Sequence, residues 1–177
     1  MSLTGDHAYP AAHRSFHPQE QRSILKNSNH TAENGPMALL SWSNQYLIGN
    51  DLIDGEHREL FRLINAFHDH WIERRDHRSI ARLLNQLVAY AQVHFQHEEA
   101  IMLDAGFPGL AEHQQIHEAM IDTIFRLCQS FEDKNLHLEM DTMKFVKRWL
   151  VDHILNNDYL FRNFLARRKR SVAAPEQ

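Results

Sequence analysis

Two pairs of side chains that can bind metal stand four residues apart in the sequence. His94 and Glu98 form one pair, and His113 and His117 form the other. Residues four apart on an α-helix lie above one another on one face. Each pair therefore predicts two metal ligands that project from one helix toward the same point.

Three further residues complete a candidate ligand set of five histidines and two carboxylates: His57, His153 and Asp158. All seven lie on or next to otherwise apolar stripes, and burying such polar groups without partners would cost several kcal/mol each. One octahedral ion cannot accept seven protein ligands, but two ions can if both carboxylates bridge them. Imidazole suits iron, copper and zinc, and bridging carboxylates favour iron or manganese, so the set predicts a two-metal centre with one ligand position open.

The spacing of the last two ligands is irregular. Asp158 follows His153 by five residues, and at about 100° per residue it would point well away from the direction of His153. We therefore predict a π-bulge or loosened turn near residues 155–157, because such bulges are frequent at functional sites.

Four helical stretches are predicted to position these ligands, at about 54–73, 76–104, 109–131 and 136–166. Apolar residues recur in each at helical spacing, with Asp54 and Asp76 as N-caps of the first two. Gly106 and Pro108 end the second. We find no sustained strand alternation. Short connections favour antiparallel neighbours, so the predicted fold is an all-α, up-down-up-down four-helix bundle, preceded by an ordered arm over 38–53.

Length and charge set the remaining expectations. The chain has 177 residues, 43% of them hydrophobic, and a net charge of -4, so we expect one domain and no nucleic-acid partner. No apolar stretch approaches the ~20 residues of a membrane span, and the single cysteine, Cys128, indicates a reducing compartment and a core packing role. We expect a cytoplasmic monomer without a membrane partner.

Three regions are predicted. Residues 1–36 have the composition of a disordered N-terminal extension, residues 37–166 form the metal-binding domain, and residues 167–177 form a basic flexible tail. The turn residues before Met37 suggest that the biological chain starts there. Four of the other nine histidines lie in the extension: His7, His13, His17 and His30. The remaining five fall mostly off the apolar stripes, and we expect them to be solvated: His68, His70, His77, His97 and His137.

Over about residues 40–165 the sequence resembles the hemerythrin family, and the bacterial hemerythrins most of all. The matching motifs are Ile53-Asp54-Gly55-Glu56-His57, His94-Phe95-Gln96-His97-Glu98, His113 with His117, and Trp149-Leu150-Val151-Asp152-His153 with Asp158. The resemblance implies two iron ions with an oxo or hydroxo bridge. It places His113, His117 and His153 on one iron, His57 and His94 on the other, and Glu98 and Asp158 between them.

The resemblance also implies reversible binding of dioxygen at the open iron position, for oxygen storage, delivery or transport. This chemistry needs a pocket that excludes water, and apolar residues next to the ligands are candidates for lining it: Leu60, Phe95, Trp149, Leu150 and Ile154. We expect a binding protein and not an enzyme, with an unidentified protein as recipient of the oxygen.

Two alternatives stay open at this point. One is an oxygen or redox sensor that acts through a partner, although we see no output domain after residue 166. The other is a di-iron enzyme that scavenges nitric oxide or peroxide. Reactive di-iron enzymes usually have carboxylate-rich sites with Glu-x-x-His motifs, so the histidine-rich set disfavours this reading.

Overall fold

The computed structural model describes residues 38–132 and 140–173, and within these ranges it is helical without strands. A short 3-10 helix, Asn44–Tyr46, precedes α1 (Asp51–Ile72), α2 (His77–Ala105) and α3 (Leu110–Glu132). The fourth helix of the bundle consists of three consecutive segments: α4 (Met140–His153), a π-helical turn (Ile154–Asp158) and α5 (Tyr159–Ala173). The predicted four-helix bundle is confirmed.

Helix α1 begins three residues earlier than expected. Asn50 is its N-cap, because the Asn50 side chain accepts hydrogen bonds from the backbone N–H groups of Leu52 and Ile53, at 3.0 and 3.2 Å. The prediction of Asp54 as the cap was wrong. Asp54 is 5% exposed and its carboxylate accepts the backbone N–H groups of Ile48 and Gly49, so it fastens the preceding arm to the helix.

The boundaries of α2 agree with the sequence. Asp76 accepts a hydrogen bond from the Ser79 backbone N–H at 3.1 Å, which confirms it as the N-cap. Gly106 ends the helix with φ 68°, in the left-handed region that glycine adopts without steric cost. The connection to α3 is therefore short, and the two helices lie side by side.

The core is built from the stripes that the periodicity predicts. Helix α1 packs on α2, α2 on α3, and α4 on α1. Fully buried apolar side chains come from every helix and include Leu60, Ile64, Phe67, Leu84, Leu87, Ile124, Met143, Leu150 and Phe161. Cys128 is buried among them at 4% exposure, which confirms its packing role.

The two ends of the domain differ from the expected boundaries. The arm is confirmed over 38–50, while residues 51–53 belong to α1. At the other end, α5 continues to Ala173, seven residues into the predicted tail. The predicted extension over 1–36, Met37, His137 and the expected start of the fourth helix lie outside the described residues. Within the described ranges, no helix has the length and apolar character needed to cross a membrane.

Candidate metal centre

All seven predicted ligands lie at one level of the bundle, and all are buried. Their relative exposures are between 0 and 3%. Helix α1 contributes His57, α2 contributes His94 and Glu98, α3 contributes His113 and His117, and the fourth helix contributes His153 and Asp158. The structure thus brings the whole predicted set together between the four helices.

Five of the seven form a tight group. One ligand atom from each of Glu98, His113, His117, His153 and Asp158 lies within 4.8 Å of all the others. Three histidine Nε2 atoms face the two carboxylates at 2.9 to 3.5 Å. This group has the donors for one ion and both bridges to a second.

His57 and His94 also approach the same two carboxylates. His57 Nε2 lies 3.4 Å from Asp158 Oδ2, and His94 Nε2 lies 3.9 Å from Glu98 Oε2. The two imidazole rings are 4.7 Å apart at their centroids. Asp158 therefore stands between His57 at Oδ2 and His113 and His153 at Oδ1. Glu98 Oε2 is approached by His94 as well as by His113 and His117.

The polar atoms at the centre of the bundle lack the partners that buried polar atoms normally have. Within the described residues, both oxygens of Glu98 and Asp158 and the Nε2 atoms of His57, His94 and His113 have no hydrogen-bond partner. A second sign is that His117 Nε2 and His153 Nε2 approach each other to 3.0 Å, so that both point at one location. Metal ions between these atoms would satisfy all of them, so the donor set fits two bridged cations.

The carboxylates are held in the ionised form that metal binding requires. Burial alone would raise the pKa of Glu98, but the close approach of His113 and His117 holds it well below its usual value. Burial and the negative charge of Glu98 also raise the pKa of Asp158, yet His153 lowers it further, to about 2. Both groups carry a negative charge at neutral pH.

The pKa values of three ligand histidines are shifted, and not in the same direction. Burial lowers the pKa of His94, so this imidazole is neutral and ready to bind. Burial also acts against protonation of His57 and His117, but neighbouring carboxylates more than offset it: Asp158 raises the pKa of His57, and Glu98 with Glu99 raises that of His117. Protons therefore compete with a metal ion more strongly at these two rings than at an ordinary imidazole.

The predicted irregularity in the fourth helix is confirmed. A π-helical turn covers Ile154–Asp158 and includes the predicted residues 155–157. The wider turn adds a residue between the two ligands, so that Asp158 faces the same interior as His153. Their closest atoms, Nε2 and Oδ1, are 2.9 Å apart.

Two carboxylates behind the ligands were missed by the sequence reasoning. The Nδ1–H of His94 donates to Glu56 at 3.0 Å, and the Nδ1–H of His117 donates to Glu99 at 2.7 Å. Such contacts fix the tautomer so that Nε2 faces the metal. The available signal was an acidic residue directly beside a ligand: Glu56 precedes His57, and Glu99 follows Glu98.

The predicted apolar pocket residues differ in position. Leu60, Leu150 and Ile154 are fully buried. Phe95 stacks on the His117 ring at 3.7 Å between centroids, with an 8° interplanar angle. Trp149 lies farther out: it is half-buried and lines a groove of about 440 Å³ between α3 and α4.

The remaining histidines of the domain are less uniform than expected. The prediction that His68 is solvated was wrong, because it is 6% exposed. His77 is partly buried at the end of the bundle away from the ligands, where Nε2 lies 2.8 Å from the Phe131 carbonyl oxygen. His97 is about half exposed, and its Nδ1–H donates to Glu56 at 2.6 Å.

Comparison with known proteins bears on what this centre holds. The family model described as the hemerythrin HHE cation binding domain matches residues 48–164, which include all seven converging side chains. The chain belongs to the hemerythrin family. The cofactor of this family is a di-iron centre, and the buried His/Glu/Asp cluster is compatible with it.

Named relatives and a solved structure agree with this membership. The bacteriohemerythrin of Stenotrophomonas maltophilia is 32% identical over 126 residues, which cover 71% of this chain and 80% of the relative. The bacteriohemerythrin of Pseudomonas aeruginosa is 35% identical over 126 residues (69% and 78%), and the myohemerythrin of Riftia pachyptila is 31% identical over 124 (70% and 92%). A crystal structure of wild-type hemerythrin superimposes with a TM-score of 0.66 at 28% identity, covering 73% of this chain and 99% of that one.

Proposed function

We propose that this hemerythrin-family protein binds dioxygen reversibly at two iron ions held by the seven converging side chains. The observation that carries the proposal is the unequal distribution of histidines around the two carboxylates. His113, His117 and His153 would hold one iron, and His57 and His94 the other, with Glu98 and Asp158 as bridges. The second iron is then one protein ligand short, which leaves a position for a small molecule.

Two ferrous ions, when bound, supply the two electrons that reversible dioxygen binding needs. The chain supplies the ligands and their orientation. Glu56 and Glu99 accept the Nδ1–H of His94 and His117, which directs each Nε2 to the interior. The Phe95 ring stacks on His117 and also contacts the rings of His94 and His153, which leaves these three rings little freedom to turn away.

The chain must also exclude water, because protons and water reaching the centre favour irreversible oxidation. Leu60, Leu150 and Ile154 have no exposed area and lie one turn or less from His57 and His153 in sequence. They have no polar side-chain atoms to offer a water molecule. These residues support storage or delivery of oxygen without turnover, as the relatives' names bacteriohemerythrin and myohemerythrin suggest.

The test is anaerobic loading with two ferrous ions per chain, followed by exposure to oxygen and then to argon, with absorption spectra at each stage. We expect an oxygen-dependent charge-transfer band that appears and then disappears on deoxygenation. The His94→Ala variant should lose the band, whereas His77→Ala, which changes a histidine away from the centre, should keep it.

A band that never reverses in the wild-type protein would refute the carrier proposal. Rapid consumption of nitric oxide or peroxide by the loaded protein would instead support the scavenging enzyme. Oxidation that changes binding to a partner, without turnover, would support the sensor. The cytoplasmic location and the monomeric state stay predictions, which cell fractionation and light scattering can check.

A further inference from the structure

The segment before α1, residues 38–50, lies along the domain as an ordered strap. Leu40, Tyr46 and Ile48 are 2 to 8% exposed, so the strap contributes to the core although most of it precedes the residues that match the family model. Near its end, Gly49 has a φ of 89°, which lets the chain turn into α1. We refer to residues 38–50 as the N-terminal strap.

The strap is fastened to α1 at both ends. The Asn65 side chain makes two hydrogen bonds with the backbone of Leu40, at 2.8 and 2.9 Å. The Asp54 carboxylate accepts the N–H groups of Ile48 and Gly49, at 2.7 and 3.1 Å. Asp54 and Asn65 are eleven residues apart, about three helical turns on one face, so the strap runs antiparallel to α1 over this length.

Ring contacts hold the middle of the strap against the same helix. Trp42 and Tyr46 pack on Phe61 with centroids 5.2 and 4.8 Å away. The Arg58 guanidinium lies over the Trp42 ring at 4.8 Å, a cation–π contact. The strap is therefore bound to α1 along its whole length and not only at its ends.

The same strap is also fastened to the fourth helix. Lys147 Nζ donates to the Leu39 carbonyl oxygen at 3.0 Å, and the Tyr159 hydroxyl donates to the Gln45 carbonyl oxygen. The strap thus bridges α1 and the fourth helix, which are neighbours in the bundle. Hydrogen bonds to both helices place it over the seam between them.

On both helices the fastening points bracket the level of the centre. His57 and Leu60 lie between Asp54 and Asn65 on α1. On the fourth helix, the residues between Lys147 and Tyr159 include Leu150, Ile154 and the ligands His153 and Asp158. The strap therefore runs along the seam at the level of His57 on α1 and of His153 and Asp158 on the fourth helix.

We propose that the N-terminal strap is the barrier that controls entry of water and small anions from the α1–α4 seam to the His57 side of the centre. Opening of the strap is a local unfolding event, set by few hydrogen bonds. An open strap should let anions enter faster whether or not the centre binds oxygen reversibly. The further consequence, faster oxidation in air, rests on the proposed function.

The test uses Asn65→Ala and Tyr159→Phe in the full, iron-loaded chain. Asn65→Ala removes both hydrogen bonds to Leu40, and we expect azide to bind the oxidised centre about tenfold faster, which corresponds to about 1.4 kcal/mol. Tyr159→Phe removes one hydrogen bond and should make azide bind about threefold faster. If the strap opens as one unit, the two effects should multiply, and azide should bind the double variant about thirtyfold faster than wild type.

The control is Asn85→Ala, which removes a hydrogen bond between Asn85 on α2 and Glu132 on α3 at 2.8 Å and leaves the strap intact. Hydrogen exchange of the iron-free and loaded proteins reports strap opening independently of the metal. Faster exchange over 39–50 together with faster azide binding, in the strap variants alone, is the expected result.

Two outcomes would overturn the proposal. In one, the strap amides exchange faster but azide binds at the wild-type rate, so the strap opens without controlling entry. In the other, neither exchange nor azide binding changes, so these bonds do not hold the strap. If azide binding responds as expected while the wild-type protein fails to release oxygen, the carrier function is refuted and the strap proposal stands.

Discussion

Leu150 offers a direct test of the proposal that apolar residues exclude water from the centre. It lies one turn before His153 and Ile154 on the fourth helix and is fully buried. Replacing it with alanine removes three carbons next to the centre and leaves a space where water can enter. We expect the loaded Leu150→Ala variant to oxidise in air at least about tenfold faster than wild type, which corresponds to about 1.4 kcal/mol of barrier.

The same change must also destabilise the fold. At about 0.8 kcal/mol per buried carbon group, the transfer contribution is about 2.5 kcal/mol, and the cavity raises the total to about 3 to 4 kcal/mol. Leu84→Ala is the matched control. Leu84 is equally buried but stands ten residues before His94 on α2, about 15 Å along the helix, so it should cost similar stability without hydrating the centre.

The assay follows the decay of the oxygenated absorption band in air at 25 °C, and urea unfolding gives the free energy of each variant. Faster oxidation in Leu150→Ala but not in Leu84→Ala supports the pocket. Equal oxidation rates in the two variants, at equal losses of stability, would show that general loosening of the bundle is responsible and would refute the role of Leu150.

Three further predictions concern the centre and the core. Glu98→Gln should reduce bound iron from two ions per chain to at most about one, because an amide is a poor bridge between cations. Elemental analysis measures the iron content. The control variant Glu118→Gln, which changes an exposed residue, should retain both ions. Iron affinity should fall as the pH decreases from about 7 to 5, because the raised pKa values of His57 and His117 let protons compete with iron. The carboxylates stay ionised over this range. Iron retention that is independent of pH would contradict the assignment of these two rings as ligands. Burial raises the pKa of the Cys128 thiol to about 12, so it should resist a thiol reagent at pH 8 in the native protein and react at once in denaturant; rapid labelling of the native protein would show that this part of the core opens.

The centre was predictable because helical geometry is local. Spacing of four residues places His94 with Glu98, and His113 with His117, on single faces whatever the fold around them. The same reasoning predicted the distorted turn before Asp158, because a regular helix cannot turn residues five apart to one direction. The structure confirms that turn over Ile154–Asp158.

Residues off the apolar stripes were less predictable. Asp54 has the type and position of a helix cap, yet the chain begins α1 earlier and uses Asp54 to hold Ile48 and Gly49. His68 was expected in water and is buried. In each case the residue type allows two roles, and the packing of the folded chain around the residue decides between them.

By itself, the sequence determined the helices, their apolar faces and the residues that can meet at a metal, since all of these follow from periodicity along one chain. Glu56 and Glu99 stand beside ligands in the sequence, but only the tertiary structure decided which histidine each of them contacts and where the strap lies. Glu56 reaches His94 across 38 residues of sequence, and Lys147 reaches Leu39 across 108. Contacts of that separation depend on how neighbouring helices are rotated and offset, and no local spacing encodes them.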